Sequence, residues 1–94
     1  MGISVNASKR VLALISSIQK TSITSAEREI LAIAKKRIKD EKIRKVPNSD
    51  LFQIGTFRSS RSAIVTDVKI DVAKRQLGIF LQGQLEIFLY RAIR

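Results

Sequence analysis

Apolar residues recur every three or four positions in two stretches of the first half of the chain, and this spacing is typical of amphipathic helices. The first stretch predicts a helix over about residues 7–20, with Asn6 as its N-cap. Its apolar positions, which include Val11, Leu14 and Ile18, would form one continuous face. We therefore expect this helix to pack against the rest of the protein along a single side.

The second stretch predicts a helix over about residues 25–45. Thr24 and Glu27 have the spacing of a capping box, in which each residue satisfies a backbone amide of the other. Pro47 cannot continue a helix, so we place the end of this one shortly before it. Lysines crowd the side opposite the apolar residues, which predicts a basic helical face.

Beyond Pro47 the period of the pattern changes from helical to alternating. Residues 51–57 predict a strand with a bend at Gly55, and residues 64–72 alternate strictly between apolar and other residues. The basic, serine-rich residues 58–62 between them suit a hairpin tip or a short helical turn. We therefore predict a β-hairpin in this region.

Residues 73–94 predict a helix that is apolar on nearly all sides. Such a helix needs burial all round, and a chain of this length offers little mass to cover it, so we predict self-association through it. A central helix wrapped by the first two helices is the alternative. The residues expected to associate are Leu77, Phe80, Leu81, Leu85, Phe88 and Leu89. The predicted fold is α+β: two N-terminal helices, a β-hairpin and a long apolar C-terminal helix, forming one small domain over residues 1–94.

The chain has 18 lysine and arginine residues against eight acidic ones, so its formal net charge is +10. This excess favours a polyanionic partner, with nucleic acid first, an anionic membrane surface second, and a solvated surface without a partner as the alternative. The aromatic residues stand in apolar stretches, so we expect them in the core and not as a platform for stacked bases. The residues predicted to contact nucleic-acid phosphates are Lys35, Lys36, Lys39, Lys42, Arg58 and Arg61.

Cysteine and histidine do not occur in the sequence. Disulfides and thiolate metal sites are therefore excluded, and so are the commonest general base and the commonest zinc ligand. The apolar runs are too short or too interrupted by polar residues to predict a membrane span. The absence of cysteine fits a cytoplasmic, nuclear or virion setting, and of these we predict the cytoplasm or the inside of a virion.

The sequence IGTFR at residues 54–58 is followed by SAI at 62–64 and TDVKIDV at 66–72. These segments together resemble the signature of polymerase-β-type nucleotidyltransferases, especially the cyclic-oligonucleotide synthases, in which a Gly-Ser strand end and a short helix precede a strand with Asp-x-Asp. The resemblance implies that Gly55 and Thr56 contact phosphate and that Asp67 binds magnesium, with a nucleotide as the ligand.

Lys69 stands where that family has its second aspartate. Asp71 lies roughly 13 Å from Asp67 along an extended strand, which is too far to share a pair of metal ions. We therefore expect no catalysis and no cofactor. The two helices followed by GTFR at 55–58 also resemble the HU and integration-host-factor architectural proteins, although the connection at 58–61 is too short for their DNA-binding arm.

These patterns together predict a small, non-catalytic protein that binds or shapes nucleic acid through phosphate contacts and self-association. Two alternatives stay open. One is a nucleotidyltransferase-like protein that binds a nucleotide, with magnesium, and has lost or residual activity. The other is a structural subunit of a viral, phage or secretion assembly.

Overall fold

The computed structural model describes residues 5–60, 63–83 and 88–91. Two helices precede six strands that form one antiparallel sheet. The helices are α1 (Val5–Gln19) and α2 (Ser25–Lys39), and the strands are β1 (Arg44–Lys45), β2 (Leu51–Gln53), β3 (Phe57–Arg58), β4 (Ile64–Asp71), β5 (Gln76–Leu81) and β6 (Phe88–Arg91).

The strand order is β1-β2-β4-β5-β6, and β3 also pairs with β4. Strands β2 and β3 therefore lie one after the other along the same side of β4, separated by a bend at Gly55. Gly55 has a φ of 92°, a conformation that residues with a Cβ rarely adopt. The predicted bend within residues 51–57 is confirmed, and it divides that segment into two short strands.

One side of the sheet packs against both helices. The apolar faces of α1 and α2 and the inward-facing residues of the strands form a single core. We call this side of the sheet its inner side and the opposite side its outer side. The residues buried most completely are Val11, Ile15, Ile18, Leu31, Val65, Val68, Ile70, Leu77 and Ile79.

The capping box at the start of α2 is confirmed. The Thr24 hydroxyl accepts a hydrogen bond from the backbone amide of Glu27, and the Glu27 carboxylate accepts one from the amide of Thr24. The predicted N-cap of α1 is wrong, because the helix already begins at Val5 and so includes Asn6.

Helix α2 ends at Lys39, so the predicted end at about residue 45 is wrong. The chain turns at Glu41, whose φ is 61°, and the amide of Lys42 donates to the carbonyl of Arg37 at 2.8 Å. The amide of Glu41 donates to the carbonyl of Ile38 at 3.0 Å. This pair of bonds is the Schellman arrangement, which satisfies the last helical carbonyls without a glycine or a proline.

The predicted C-terminal helix is wrong, because residues 76–81 and 88–91 form strands β5 and β6. Asp71 and Gln76 face each other across a hairpin, and the Asp71 carboxylate accepts a hydrogen bond from the amide of Lys74 at 3.0 Å. Strand β5 lies between β4 and β6, so both of its edges are paired. A central strand produces the same continuous apolar run as a buried helix, so the pattern alone does not distinguish the two.

Strand β4 confirms the predicted strand over residues 64–72 but not its strict alternation. A β-bulge places Val65 opposite Leu81 and Asp67 opposite Phe80, so Thr66 has no partner of its own. The bulge changes which residues face inward: Val65 does so before it, and Val68 and Ile70 do so after it.

Candidate nucleic-acid interface

A basic depression lies where the C-terminal end of α2 meets α1. It has a volume of about 250 Å³, and its lining includes Lys9 of α1 and Lys39 of α2. Glu41 and Ile43 form part of its wall. Two consecutive helices thus contribute one cation each to the same surface.

A second depression adjoins the first, because Glu41 and Ile43 line both. Its volume is about 320 Å³, and its lining adds Lys42, Arg44 and residues 53–55. We refer to the two depressions together as the basic groove, defined by four exposed cations: Lys9, Lys39, Lys42 and Arg44. Glu41 is the acidic residue in its wall.

The Schellman turn explains how the groove forms. Because α2 ends at Lys39, the chain reverses within a few residues and enters β1 at Arg44. Ile43 is 7% exposed and fixes the connection to the core, while Lys42 and Arg44 on either side of it are exposed. A helix continued to residue 45 would not produce this arrangement.

Of the predicted phosphate contacts that the structure describes, two lie in the groove: Lys39 and Lys42. Lys36 is exposed on the outward face of α2, and Arg58 is exposed on β3. Lys35 is half-buried on another flank of α2, where its Nζ donates to Oε1 of Gln19 at 3.1 Å. Arg61 lies outside the described residues.

Lys9 and Arg44 are not among the predicted phosphate contacts, for two different reasons. Lys9 precedes the apolar face of α1 and lies far in sequence from the basic stretch of α2. Arg44 was placed inside the predicted helix, whereas it lies in β1 and donates to Oε1 of Gln53 at 3.0 Å. The basic stretch to which Arg44 belongs is the feature of the sequence that could have indicated a phosphate contact there.

The residues predicted to bind phosphate and magnesium lie close together, and each already has a hydrogen-bond partner within the protein. Oδ1 of Asp67 accepts hydrogen bonds from the amide of Gly55 at 2.9 Å and from the amide of Ile54 at 3.2 Å. The Thr56 hydroxyl donates to the carbonyl of Thr66 at 3.1 Å. Asp67 therefore bridges the gap between β2 and β3, and the Gly55 amide already has an acceptor.

Of the residues predicted to drive self-association, those that the structure describes lie in a sheet and not on a helix. Leu77 is 1% exposed in the core, and Leu81 packs against the core from its edge. Phe88 and Leu89 lie in β6, opposite Ile79 and Gly78. Leu85 lies outside the described residues, and Phe80 is half-buried on the outer side of the sheet.

The outer side of the sheet has a shallow hollow of about 150 Å³ around Phe80. The Nζ of Lys69 lies 4.9 Å from the centroid of the Phe80 ring, within the range of a cation–π contact. The other lining residues are Leu51, Asp71, Gln76, Leu77 and Gly78. Contrary to the expectation that the aromatic residues lie in the core, this phenylalanine is partly accessible.

Within the described part of the chain, no helix is long and apolar enough to cross a membrane. The same residues contain no cluster of three or more carboxylates that would suit a metal ion. The sequence matches no protein-family model, and neither a curated protein nor a solved structure is similar enough to identify a relative.

Proposed function

We propose that this protein is a small, non-catalytic nucleic-acid-binding protein that contacts phosphates through the basic groove. The observation that carries the proposal is the convergence of Lys9, Lys39, Lys42 and Arg44 on two adjoining depressions. Lys39, Lys42 and Arg44 belong to one basic stretch, and the packing of α1 against α2 adds Lys9 to them.

The chemistry of these side chains supports phosphate contacts over base reading. Three of the four are lysines, which act as flexible point charges and do not impose the planar, bidentate geometry of base recognition. The net charge of +10 adds a long-range attraction for a polyanion. We therefore expect the groove to bind different sequences with similar affinity.

The test is a salt titration of binding to a labelled random duplex and a labelled single strand, measured by fluorescence anisotropy. The decisive variant is Lys39→Glu with Lys42→Glu. If each lysine contacts one phosphate, the slope of log affinity against log salt should become shallower by about 2 for the duplex, and the affinity of every sequence should fall alike.

The matched control is Lys20→Glu with Lys74→Glu, which changes the net charge by the same amount. Both residues are exposed, and both lie away from the groove linings. The control should retain most of the salt slope. Equal losses in the two double variants would contradict a defined groove, and absence of binding at low salt would overturn the proposed function.

A further inference from the structure

We propose that the hollow on the outer side of the sheet binds one unpaired base of a single-stranded nucleic acid, with Phe80 as the stacking surface. The base site deepens the proposed function and presupposes its phosphate contacts. Three features of the hollow carry the inference: an accessible aromatic ring, a floor without a side chain, and hydrogen-bonding groups around the rim.

The ring and the floor leave room for a flat ligand. Phe80 is half-buried in β5, and Gly78 precedes it by two residues on the same side of the strand. Because glycine has no side chain, the sheet forms a recess beside the ring. An aromatic ring next to a recess suits a nucleobase, since every base has a π-face that stacks on such a ring.

In the free protein the ammonium group of Lys69 lies over the Phe80 ring, with its Nζ 4.9 Å from the ring centroid. A lysine at an exposed site makes a weaker contact with a ring than a stacked base does. Its long stem also lets the ammonium group swing aside. We therefore expect an incoming base to take the place of Lys69 on the ring while the ammonium group moves to a phosphate of the same strand.

The rim of the hollow supplies groups that match the edges of bases. Gln76 offers both a donor and an acceptor, and Asp71 offers the carboxylate oxygen that is not bonded to the amide of Lys74. A carboxylate accepts hydrogen bonds from exocyclic amino groups, such as that of cytosine, and repels phosphates. The acidic residue on this side therefore favours a base over a phosphate, and it favours cytosine and adenine over thymine and uracil.

A row of residues connects the hollow with the basic groove. Arg44, Gln53, Lys69 and Gly78 lie opposite one another on neighbouring strands β1, β2, β4 and β5. Neighbouring strands are about 4.8 Å apart, so Arg44 in the groove lies roughly 10 Å from Lys69 at the hollow. One single strand can therefore place its phosphates in the groove and a neighbouring base over Phe80.

The experiment compares the wild type with Phe80→Leu and Phe80→Tyr. Leucine keeps an apolar side chain but removes the ring, whereas tyrosine retains it. The probes are labelled oligomers of deoxycytidine and of thymidine, an abasic strand of equal length and a random duplex. Thermal unfolding of each variant shows whether its fold is intact.

We expect Phe80→Leu to weaken binding of the deoxycytidine oligomer by about 5- to 150-fold, which is the loss of one stacked base. Phe80→Tyr should bind as the wild type does. Neither variant should alter binding of the duplex or of the abasic strand, since those probes report on the phosphate contacts alone. The wild type should also prefer the deoxycytidine oligomer to the thymidine oligomer.

Unchanged binding of the deoxycytidine oligomer by folded Phe80→Leu would overturn the base site while leaving the groove intact. Loss of duplex and single-strand binding alike in Phe80→Leu would also overturn it, because the ring would then serve the groove. If Phe80→Leu lowers the molecular mass in sedimentation and leaves all binding unchanged, the occupant of the hollow is a second copy of the chain. Absence of binding to every probe by the wild type would instead refute the proposed function.

Discussion

The inner and outer sides of β4 differ in character, although their residues alternate along one strand. On the inner side, Val68 and Ile70 are fully buried in the core shared with the helices. On the outer side, Lys69 between them is exposed and contacts the partly accessible ring of Phe80. The strand therefore separates two tasks: its inner side stabilises the fold, and its outer side is available for contacts with other molecules.

The largest expected effect tests this division of tasks directly. Ile70→Ala should lower the free energy of unfolding by about 2–5 kcal/mol, because it leaves a cavity in a fully buried site. Its neighbour provides the control, since Lys69→Ala removes an exposed side chain and should cost at most about 1 kcal/mol. Urea unfolding followed by circular dichroism measures both, and similar losses would contradict the comparison.

Asp67 is the exception to this division, because it lies on the outer side of β4 and yet stabilises the sheet. Asp67→Ala should lower the free energy of unfolding by about 1–3 kcal/mol, since the Gly55 amide loses its acceptor and the Ile54 amide keeps only the carbonyl of Val68. Asp67→Asn keeps an oxygen in place and should cost less. Both values come from the same urea unfolding measurement.

Magnesium provides the counter-test for Asp67. If the carboxylate serves the backbone, millimolar magnesium should leave the unfolding midpoint of the wild type unchanged. A midpoint that rises with magnesium in the wild type but not in Asp67→Asn would contradict this structural role and favour the metal-binding alternative.

The smallest expected effect concerns the turn that shapes the basic groove. Glu41→Gly should raise the free energy of unfolding by about 0.5–1 kcal/mol, because glycine adopts a φ of 61° without strain. It should also strengthen duplex binding, since it removes a negative charge from the groove wall.

The adjacent position supplies the control for the turn. Asp40 has a φ of −86°, so Asp40→Gly relieves no strain and should lower the free energy of unfolding by about 0.5–1 kcal/mol. The two glycine variants should therefore shift the thermal midpoint in opposite directions. Shifts of the same sign would indicate that the turn is not strained.

The N-terminal half of the fold was largely predictable from local chemistry. The capping box of Thr24 and Glu27 depends on two neighbouring residues and was found where the spacing placed it. The end of α2 was not predictable in the same way, because Glu41 adopts a left-handed conformation without being a glycine or an asparagine. Nothing in the residue type announces that turn.

The C-terminal half depended on long-range pairing. The apolar run that includes Leu77 and Ile79 is compatible with a buried helix until β4 and β6 are known to flank it. The bulge at Thr66 likewise changes which residues of β4 face the core. A prediction from sequence periodicity assumes a regular strand, so it cannot detect the extra residue of a β-bulge.

The residues of the candidate site show the same difference between what local sequence predicts and what depends on long-range packing. Lys39 and Lys42 were found because they belong to an evident basic stretch, whereas Lys9 joins them only through the packing of α1 against α2. Phe80 looked like a core residue because its neighbours in sequence are apolar. Its partly accessible position depends on the pairing of β5, which the periodicity did not predict.

Strand β1 lies at one edge of the sheet and consists of two residues, Arg44 and Lys45, both of which are exposed. An open sheet edge invites strands of other molecules to add to it, which is a common beginning of aggregation. A short edge with two positive charges discourages such addition, because a second copy brings the same charges to the same place. Arg44 therefore discourages edge-to-edge association with a second copy of the protein, and the same residue lines the basic groove.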